Sequence, residues 1–444
     1  MMKKRMNSSS FKLKNMAYIP EEFKDHKKVI ILSNSAQEND KHYAEEFCYL
    51  LAQAFFYPVL YLSQKVEEIN SATYMGKGKI EDTRIIVGEW NKTASESNQI
   101  EYVACNFDLT ALQQRNIEKI TGLKVIDRTS VILKIFELNA KTREAKLQVE
   151  IAKLQYLRSH LINNKASYSQ VTSGGGAHNK GEGEKQIELD RRKIDGMITF
   201  KKNELSAIKL SRRNMRTKRS NSPIPKIAVV GYTNAGKSTL MNCLLERANH
   251  NCKKNVYVED ELFATLETST RVIETNKYPT FILTDTVGFI SKLPTYLVDA
   301  FRSTLEEIKE ADLIIQVVDY SDPFHEDQIA TTNKVLEDLG CENIPMIYLL
   351  NKFDLLVNNS PRLAKKNELF TSLIDKNDID DVLKFISKAI SASWEKKKIV
   401  VPFICDFTSF KRDNYVQSFK ETEEGYDCTC YINPKTKHKY GFIK

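Results

Sequence analysis

The sequence lacks the features of a secreted or membrane-spanning protein. Its eight cysteines are scattered among 444 residues without a C-x-x-C pair, which is typical of a reducing compartment rather than of a disulfide framework. No apolar run approaches the about 18 residues that a membrane-spanning helix needs. The first sixteen residues are basic but contain no apolar stretch, unlike a secretory signal. We therefore expect a cytoplasmic protein without a transmembrane segment.

The N-terminal segment and one pair of nearby cysteines each allow two interpretations. The basic, serine-containing start predicts a disordered extension, residues 1–27, with an organellar transit peptide as the alternative. Cys428 and Cys430 lie in a strand-like run, where we expect them on alternate strand faces rather than in a metal site.

Glycine is also scarce, and it is concentrated in one place. Of the 16 glycines in the chain, five lie within the ten residues GGGAHNKGEG, starting at Gly174. A charged, helix-like run follows. Because glycine-rich loops before helices often hold phosphates, this stretch is a first candidate for a nucleotide site.

Charge is distributed unevenly along the chain. The net charge is +8, but residues 1–220 carry 38 Lys and Arg against 26 Asp and Glu, and the remainder carries 28 against 32. Residues 201–219 alone have eight basic residues and one acidic residue. A basic front half favours a polyanionic partner, although an ordinary solvated surface gives the same pattern.

The patterning predicts an α/β fold in several domains. Over residues 28–130, the apolar segments KVIILS, YPVLYLS, TRIIVGE, EYVACN and LKVIDR alternate with helix-like segments, which indicates an N-terminal α/β domain. Amphipathic patterns over about 131–161 and 184–215 flank the glycine stretch. They predict a long antiparallel helical hairpin with a glycine-rich tip, residues 131–219.

A proline-containing linker, RTKRSNSPIP, separates this hairpin from the second half of the chain. Residues 225–396 are predicted to form a further α/β domain with a mainly parallel sheet. Residues 397–444 are predicted to form a small C-terminal α/β domain, with a strand at IVVPFI, a helix at FTSFKRDNYVQSF and a hairpin around NPKT.

The run KIAVVGYTNAGKSTL is an apolar strand, the pattern G-x-x-x-x-G-K-S and a helix start. In such a phosphate loop, backbone N–H groups surround phosphate oxygens, Lys237 reaches the β- and γ-phosphates, and the Ser238 hydroxyl binds Mg²⁺. The predicted loop comprises Gly231, Tyr232, Thr233, Asn234, Ala235, Gly236, Lys237 and Ser238.

The phosphate loop is the first of three nucleotide-binding motifs, or boxes. The run FILTDTVGF supplies the second box, which is Asp285, Thr286, Val287 and Gly288. Asp285 ends an apolar strand, the position of an acid that holds the Mg²⁺ shell. The N–H of Gly288 can reach a γ-phosphate without an intervening side chain. Phe289 follows where many GTPases have a glutamine that orients the attacking water, so we expect slow hydrolysis without a partner.

The run IYLLNKFD supplies a third box, Asn351, Lys352, Phe353 and Asp354. An aspartate here accepts two N–H bonds from guanine, and adenine cannot supply them. The three boxes together predict a phosphate-loop GTPase domain with GTP as substrate. Intact Lys237, Asp285 and Asp354 argue against an inactive domain that only binds.

Each of two further loops has more than one candidate in the sequence. The last guanine-contacting loop is either Thr371, Ser372 and Leu373 or the run SAS at 391–393, which helical spacing places in or just past a final helix. We favour the first, although Leu373 stands where alanine is usual. The loop between the first two boxes must supply a threonine to Mg²⁺, and spacing cannot choose among Thr265, Thr268 and Thr270.

Over nearly its whole length the chain resembles the HflX family of translational GTPases. The resemblance rests on YMGKGKIED, QQRNIEKITGLKVIDRT, TREAKLQVEIAKLQYL, IELDRR, GYTNAGKST, FATLE, DTVGFI and FRSTLEE. The glycine stretch departs in detail, with GEGE where a proline usually follows the first glycine.

The resemblance implies a GTPase that binds the large ribosomal subunit and acts in ribosome splitting, recycling or biogenesis. It assigns Mg²⁺ to Ser238 and Thr265. We expect Lys237, Thr265 and Gly288 to be the catalytic residues. The loop that carries the chosen threonine is Phe263, Ala264, Thr265, Leu266 and Glu267. We expect a monomer that does not bind DNA. The alternative is a related GTPase that acts in tRNA modification or with a membrane partner.

The glycine stretch is then left for another role, since residues 231–238 take the nucleotide. A flexible small-residue tip can approach an RNA backbone, with Lys180, Lys185, Arg191 and Arg192 nearby to neutralise phosphates. A disordered connector is the alternative.

Asn234, in the predicted phosphate loop, lies where some GTPases hold K⁺ beside the phosphates. The alternative is that Asn234 only caps the turn of that loop.

Overall fold

The computed structural model describes residues 20–36, 40–170, 180–220, 224–248, 269–275, 278–286, 288–290, 297, 307–356 and 365–442. The chain divides near Lys209 into two compact units. Each is a mixture of helices and sheets, which confirms the α/β class. Within the described ranges, no helix combines the length and the apolar character needed to cross a membrane.

The first unit contains a four-stranded parallel sheet in the order β2-β1-β3-β4. The strands are β1 (Lys27–Asn34), β2 (Phe56–Gln64), β3 (Ile100–Cys105) and β4 (Lys124–Asp127). The helices are α1 (Asp40–Gln53), α2 (Lys77–Thr93), α3 (Ala111–Thr121) and α4 (Arg128–Asn139). Strand β1 is buried almost throughout, as expected of a parallel strand that is covered on both faces.

Two details of this unit differ from the sequence predictions. The segment TRIIVGE lies in α2 and not in a strand, because Ile80, Thr83 and Val87 repeat at helical spacing on one buried face. The extension predicted for residues 1–27 is too long, because Phe23 is buried and its ring stacks on Tyr57 at 4.8 Å. Residues 1–19 lie outside the described part.

The predicted hairpin consists of α5 (Arg143–Gln170) and α6 (Lys180–Ser220). Leu147, Ile151 and Leu205 form its buried contact. The prediction of one helix from residue 131 is wrong. Helix α4 ends at an extended Ala140, and the Thr142 hydroxyl caps the next helix by accepting a hydrogen bond from the backbone N–H of Ala145.

The glycine stretch is only partly described. Gly181 and Gly183 lie in the first turn of α6 and not in a loop. Gly174, Gly175 and Gly176 lie outside the described residues.

The second unit begins with a six-stranded sheet in the order β10-β9-β8-β5-β7-β6. The strands are β5 (Lys226–Val230), β6 (Ser269–Ile273), β7 (Phe281–Asp285), β8 (Leu313–Asp319), β9 (Met346–Asn351) and β10 (Glu368–Phe370). Its helices are α7 (Lys237–Ala248), α8 (His325–Asp338) and α9 (Lys376–Ile390). Among these strands, β6 alone runs antiparallel to its neighbour, so the mainly parallel sheet is confirmed.

A small three-stranded antiparallel sheet, in the order β11-β13-β12, follows in the same unit. It comprises β11 (Glu395–Pro402), α10 (Phe407–Asp413), β12 (Tyr415–Thr422) and β13 (Gly425–Ile432). The predicted helix is too long, because it ends at Asp413 and YVQSF belongs to β12. The hairpin turn lies at 423–424, between β12 and β13, and not around NPKT.

Cys428 and Cys430 both point into the core of this small sheet. The expectation of alternate faces is wrong, because side chains two residues apart share one face of a strand. Burial raises the pKa of Cys428 to about 11 and that of Cys430 to about 12. Both are therefore unreactive core thiols at neutral pH.

Candidate active site

The phosphate loop follows β5 and depends on two glycines. Gly231 has φ +142°, and a Cβ there would lie 2.2 Å from the Val317 carbonyl oxygen. Gly236 has φ +105°, and a Cβ there would lie 2.3 Å from Asn351 Nδ2. These backbone angles and close approaches permit only glycine. The two glycines allow the loop to pack against Val317 of β8 and Asn351 of β9, and these two strands therefore fix the position of the loop.

Lys237 begins α7 and is buried inside the loop. Its ammonium donates a hydrogen bond to the Tyr232 carbonyl oxygen at 2.7 Å. The pKa of Lys237 is lowered to about 8, chiefly by burial; the charge of Asp285 opposes this shift, and the charge of Lys352 contributes to it. An incoming phosphate would stabilise the charged form of this lysine.

A pH dependence of GTP affinity follows from the low pKa of Lys237. The Lys237 side chain is mostly protonated below pH 8, so the affinity for GTP should be highest there and should decline as the pH rises. At pH 9 binding should be about tenfold weaker than at pH 7, because one pKa unit corresponds to a tenfold change. Binding at pH 9 should also take up close to one proton. Calorimetry in two buffers of different ionisation enthalpy measures this uptake, and binding without proton uptake at pH 9 would contradict the assignment.

Ser238 and Asp285 meet beside the loop. The Ser238 hydroxyl donates a hydrogen bond to Asp285 Oδ2 at 2.9 Å, and Asp285 is fully buried at the end of β7. A hydroxyl and a carboxylate side by side are oxygen donors that suit Mg²⁺. This pair therefore fits the ion that the sequence assigned to Ser238.

The loop that carries the chosen magnesium threonine is not described. Residues Phe263, Ala264, Thr265, Leu266 and Glu267 lie outside the described residues, as do Thr268 and Val287. Thr270 lies within β6, with its hydroxyl 3.3 Å from that of Thr284 on β7. It is therefore a sheet residue and not part of the loop.

The second box lies directly against the phosphate loop. The Thr286 hydroxyl donates to the Val229 carbonyl oxygen at 2.7 Å. Phe289 is buried and forms a parallel bridge with Tyr232: the Thr233 N–H donates to the Phe289 oxygen at 2.8 Å, and the Phe289 N–H donates to the Gly231 oxygen at 3.1 Å. The phenyl ring packs in the interior, so it cannot orient a water molecule.

Gly288 also lies close against the phosphate loop. A Cβ on Gly288 would lie 2.9 Å from Lys237 Nζ and 2.9 Å from Thr233 Cγ2. The backbone of residue 288 is therefore adjacent to the Lys237 ammonium. This position agrees with a γ-phosphate contact through the N–H of Gly288.

The guanine box is linked to the phosphate loop by hydrogen bonds. Asn351 Nδ2 donates to the Ala235 carbonyl oxygen at 2.8 Å, and Asn351 Oδ1 accepts from the Leu373 N–H at 3.2 Å. Lys352 Nζ donates to the Asn234 carbonyl oxygen at 2.8 Å and forms an ion pair with Asp319. These contacts hold the two loops together before a base is bound.

Asp354 differs from these buried neighbours. It lies in the short 3₁₀ helix Phe353–Leu355 and is exposed. Among the described residues, none is within hydrogen-bonding distance of its carboxylate. It is therefore available to a base, whereas Asn351 and Lys352 have structural roles.

The two candidates for the last loop occupy different places. Thr371, Ser372 and Leu373 follow β10 directly, and Leu373 contacts Asn351. Residues 391–393 form the short 3₁₀ helix at the end of α9, where the Ser391 hydroxyl donates to the Ser387 oxygen. The structure brings the first candidate, and not the second, beside Asn351.

Leu373, the departure from alanine, is accommodated by packing. Its side chain is buried in the domain core, and its Cδ1 would lie 3.5 Å from a Cβ on Gly236. The Cys243 thiol donates to its carbonyl oxygen at 3.2 Å. The leucine side chain thus packs against the phosphate loop at Gly236.

Sequence reasoning missed two carboxylates at this site. Asp319 pairs with Lys352, and Asp378 Oδ2 accepts from the Ser372 N–H at 2.5 Å. Asp319 ends the apolar strand LIIQVVD, a signal resembling the one that identified Asp285. Asp378 in the first turn of α9 gave no such signal, because its contact is tertiary.

Known protein families match successive parts of this chain. The protein-family model described as "50S ribosome-binding GTPase" matches residues 226–352. The models "GTP-binding GTPase Middle Region" and "GTP-binding GTPase N-terminal" match 139–219 and 41–137. A "GTPase HflX" from Caldanaerobacter subterraneus subsp. tengcongensis is 36% identical over 405 residues, which cover 91% of this chain and 89% of that protein. The chain belongs to the HflX family of GTPases.

A second curated relative is also an HflX protein. A "GTPase HflX" from Lacrimispora saccharolytica is 40% identical over 327 residues, or 73% of each chain. A GTP-binding protein from the archaeon Sulfolobus solfataricus, solved in complex with GDP, is 20% identical, covering 82% of this chain and 99% of that chain with a TM-score of 0.43. That superposition is too loose to assign residues. As an HflX protein, this chain is an enzyme that binds and hydrolyses GTP.

Proposed function

We propose that this HflX GTPase, in its GTP-bound form, binds the large ribosomal subunit and acts in ribosome splitting, recycling or biogenesis. The observation that carries the proposal is HflX membership, together with the match of residues 226–352 to a family described as ribosome-binding. The eight basic residues within 201–219 supply charge for contact with RNA phosphates. We infer a cytoplasmic monomer that does not bind DNA.

In the proposed mechanism, residues 231–238 hold the phosphates, and Asp354 reads guanine beside residues 371–373. Ser238 and Thr265 would hold Mg²⁺, which when bound neutralises charge on the β- and γ-phosphate oxygens. The N–H of Gly288 contacts the γ-phosphate, so loss of that phosphate frees residues 288–290. Release of this segment would weaken the ribosome-bound state.

Activation must compensate for the missing glutamine, because the buried ring of Phe289 cannot orient the attacking water. We infer that the large subunit positions Thr265 for the reaction and thereby stimulates hydrolysis. Purified large subunits should therefore raise the single-turnover rate of GTP hydrolysis, whereas purified small subunits should not. Equal rates with and without large subunits would refute partner activation.

The glycine stretch gives a second test of the ribosomal role. Replacing Gly174, Gly175, Gly176, Gly181 and Gly183 together with alanine should weaken ribosome association while GTP affinity stays nearly intact. Alanine restricts the backbone of the tip, and Gly181 and Gly183 in α6 each gain about 1 kcal/mol of helix propensity. Ribosome pelleting and nucleotide titration measure the two properties separately.

The matched control for this variant is G196A. Gly196 lies inside the same helix, and a Cβ there would meet no atom within 4 Å. The control therefore stabilises α6 without altering the tip, and it should bind ribosomes as the natural protein does. Lost nucleotide affinity with unchanged ribosome binding in the tip variant would reverse the assignment.

A further inference from the structure

Thr233 is a buried threonine of the phosphate loop whose hydroxyl has an unmet hydrogen-bonding capacity. The residue is 5% exposed, and its Oγ1 finds no hydrogen-bond partner in the described part of the chain. The nearby Thr286 hydroxyl, in contrast, is bonded to the Val229 oxygen. Buried polar atoms are normally paired, so an exception at a catalytic loop calls for a functional explanation.

The side chain of Thr233 lies where the γ-phosphate is expected to bind. A Cβ built on Gly288 would be 2.9 Å from Thr233 Cγ2, 3.0 Å from Thr233 Cα and 2.9 Å from Lys237 Nζ. Thr233 therefore borders the same small space as the lysine that reaches the γ-phosphate. Its methyl group, Cγ2, faces that space.

The hydroxyl is the donor that Thr233 still has available. Its backbone N–H is already bonded to the Phe289 carbonyl oxygen at 2.8 Å. A rotation of about 120° around χ1 moves the hydroxyl into the position that the methyl group now occupies, and moves the methyl group to the position of the β-hydrogen. That rotation would place Oγ1 beside Gly288 and Lys237 without any backbone movement.

We propose that Thr233 is a catalytic residue of GTP hydrolysis, whose hydroxyl donates to a γ-phosphoryl oxygen and accepts a hydrogen bond from the attacking water. The water oxygen bonds to the γ-phosphorus, the bond from that phosphorus to the β–γ bridging oxygen breaks, and the water protons pass to the released phosphate and solvent. GDP and inorganic phosphate are the products. The hydroxyl aligns water and phosphate, a task that Phe289 cannot perform.

The test compares two substitutions that separate the hydroxyl from the methyl group. T233V keeps the shape and removes the hydroxyl, whereas T233S keeps the hydroxyl and removes the methyl. Single-turnover GTP hydrolysis, GDP affinity and thermal unfolding are measured for both variants. T233V should slow hydrolysis by about 10²-fold, the effect of losing one transition-state hydrogen bond, with GDP affinity within about twofold of the natural protein. T233S should retain at least about a third of the natural rate.

The unfolding temperature of the GDP-free protein distinguishes a catalytic role of Thr233 from a structural one. A structural role predicts that T233V unfolds at a lower temperature than the natural protein. If the hydroxyl has no partner in the resting protein, T233V should unfold at the natural temperature or above it, because valine buries no polar atom. A natural rate in T233V would overturn the proposal. Slow hydrolysis in T233V together with weakened GDP binding or a lowered unfolding temperature would also overturn it, since the residue would then act through folding. A normal T233V with a slow T233S would assign the role to the methyl group instead.

Discussion

In D354N, GTP affinity should fall by about 10²–10⁴-fold and XTP should become the preferred nucleotide. Asp354 is exposed at a short helix beside Asn351 and Lys352, whose side chains are held by the phosphate loop. Its carboxylate can accept both N–H groups on one edge of guanine, and two hydrogen bonds to a charged group account for this range. Asparagine presents an N–H₂ donor there. Xanthine has a carbonyl where guanine has its amino group, so the variant and the base match.

The control for this experiment is D338N. Asp338 is an exposed aspartate at the end of α8, so this change removes one surface charge outside the candidate site. Competition against a fluorescent guanine nucleotide measures both variants with GTP and XTP. D338N should keep the natural preference for GTP. A D354N protein that still prefers GTP strongly would show that another residue reads the base.

Hydrolysis should be slow in sodium and faster in potassium, by at least about tenfold. Asn234 has φ +63°, and Lys352 holds its carbonyl oxygen, so its amide side chain projects from a fixed backbone. We propose that this amide helps to bind K⁺ beside the phosphates. A cation there can stabilise transition-state charge as an arginine finger does, an effect worth roughly 10³–10⁵ in rate when complete.

N234G separates this proposal from a purely conformational role. Asparagine tolerates the left-handed backbone that residue 234 adopts, so the residue could serve the turn alone. Glycine keeps that backbone but has no amide. N234G should therefore bind GDP normally and hydrolyse GTP at the same rate in both salts. A potassium preference that persists in N234G would assign residue 234 to the turn, and equal rates in the natural protein would remove K⁺ from the mechanism.

The sequence predicts the chemistry of this site better than its supporting contacts. The phosphate loop, Asp285 and the Asn351 box each follow an apolar strand directly, so local pattern alone identifies them. Asp378 and the buried Leu373 act through tertiary contacts that no local pattern contains. Their roles become visible only once β9 and β10 are paired.

The same limit explains the errors in secondary structure. The segment TRIIVGE has the composition of a strand, but its buried residues repeat at helical spacing in α2. The interruption at Ala140 depends on the Thr142 cap, which a continuous amphipathic pattern obscures. These local errors have little effect on the HflX resemblance, because the resemblance depends on the motifs and their order along the chain.

GTP-dependent binding to the large ribosomal subunit is the central claim, and co-sedimentation tests it most directly. The protein is centrifuged through a density gradient with purified large or small subunits, in GDP or in a non-hydrolysable GTP analogue. D354N serves as a control, because it should respond to the xanthine analogue and not to the guanine analogue. We predict that the natural protein migrates with large subunits in the guanine analogue and stays near the top of the gradient in GDP. Failure to migrate with large subunits in the analogue, under conditions where nucleotide binding is verified, would contradict the account.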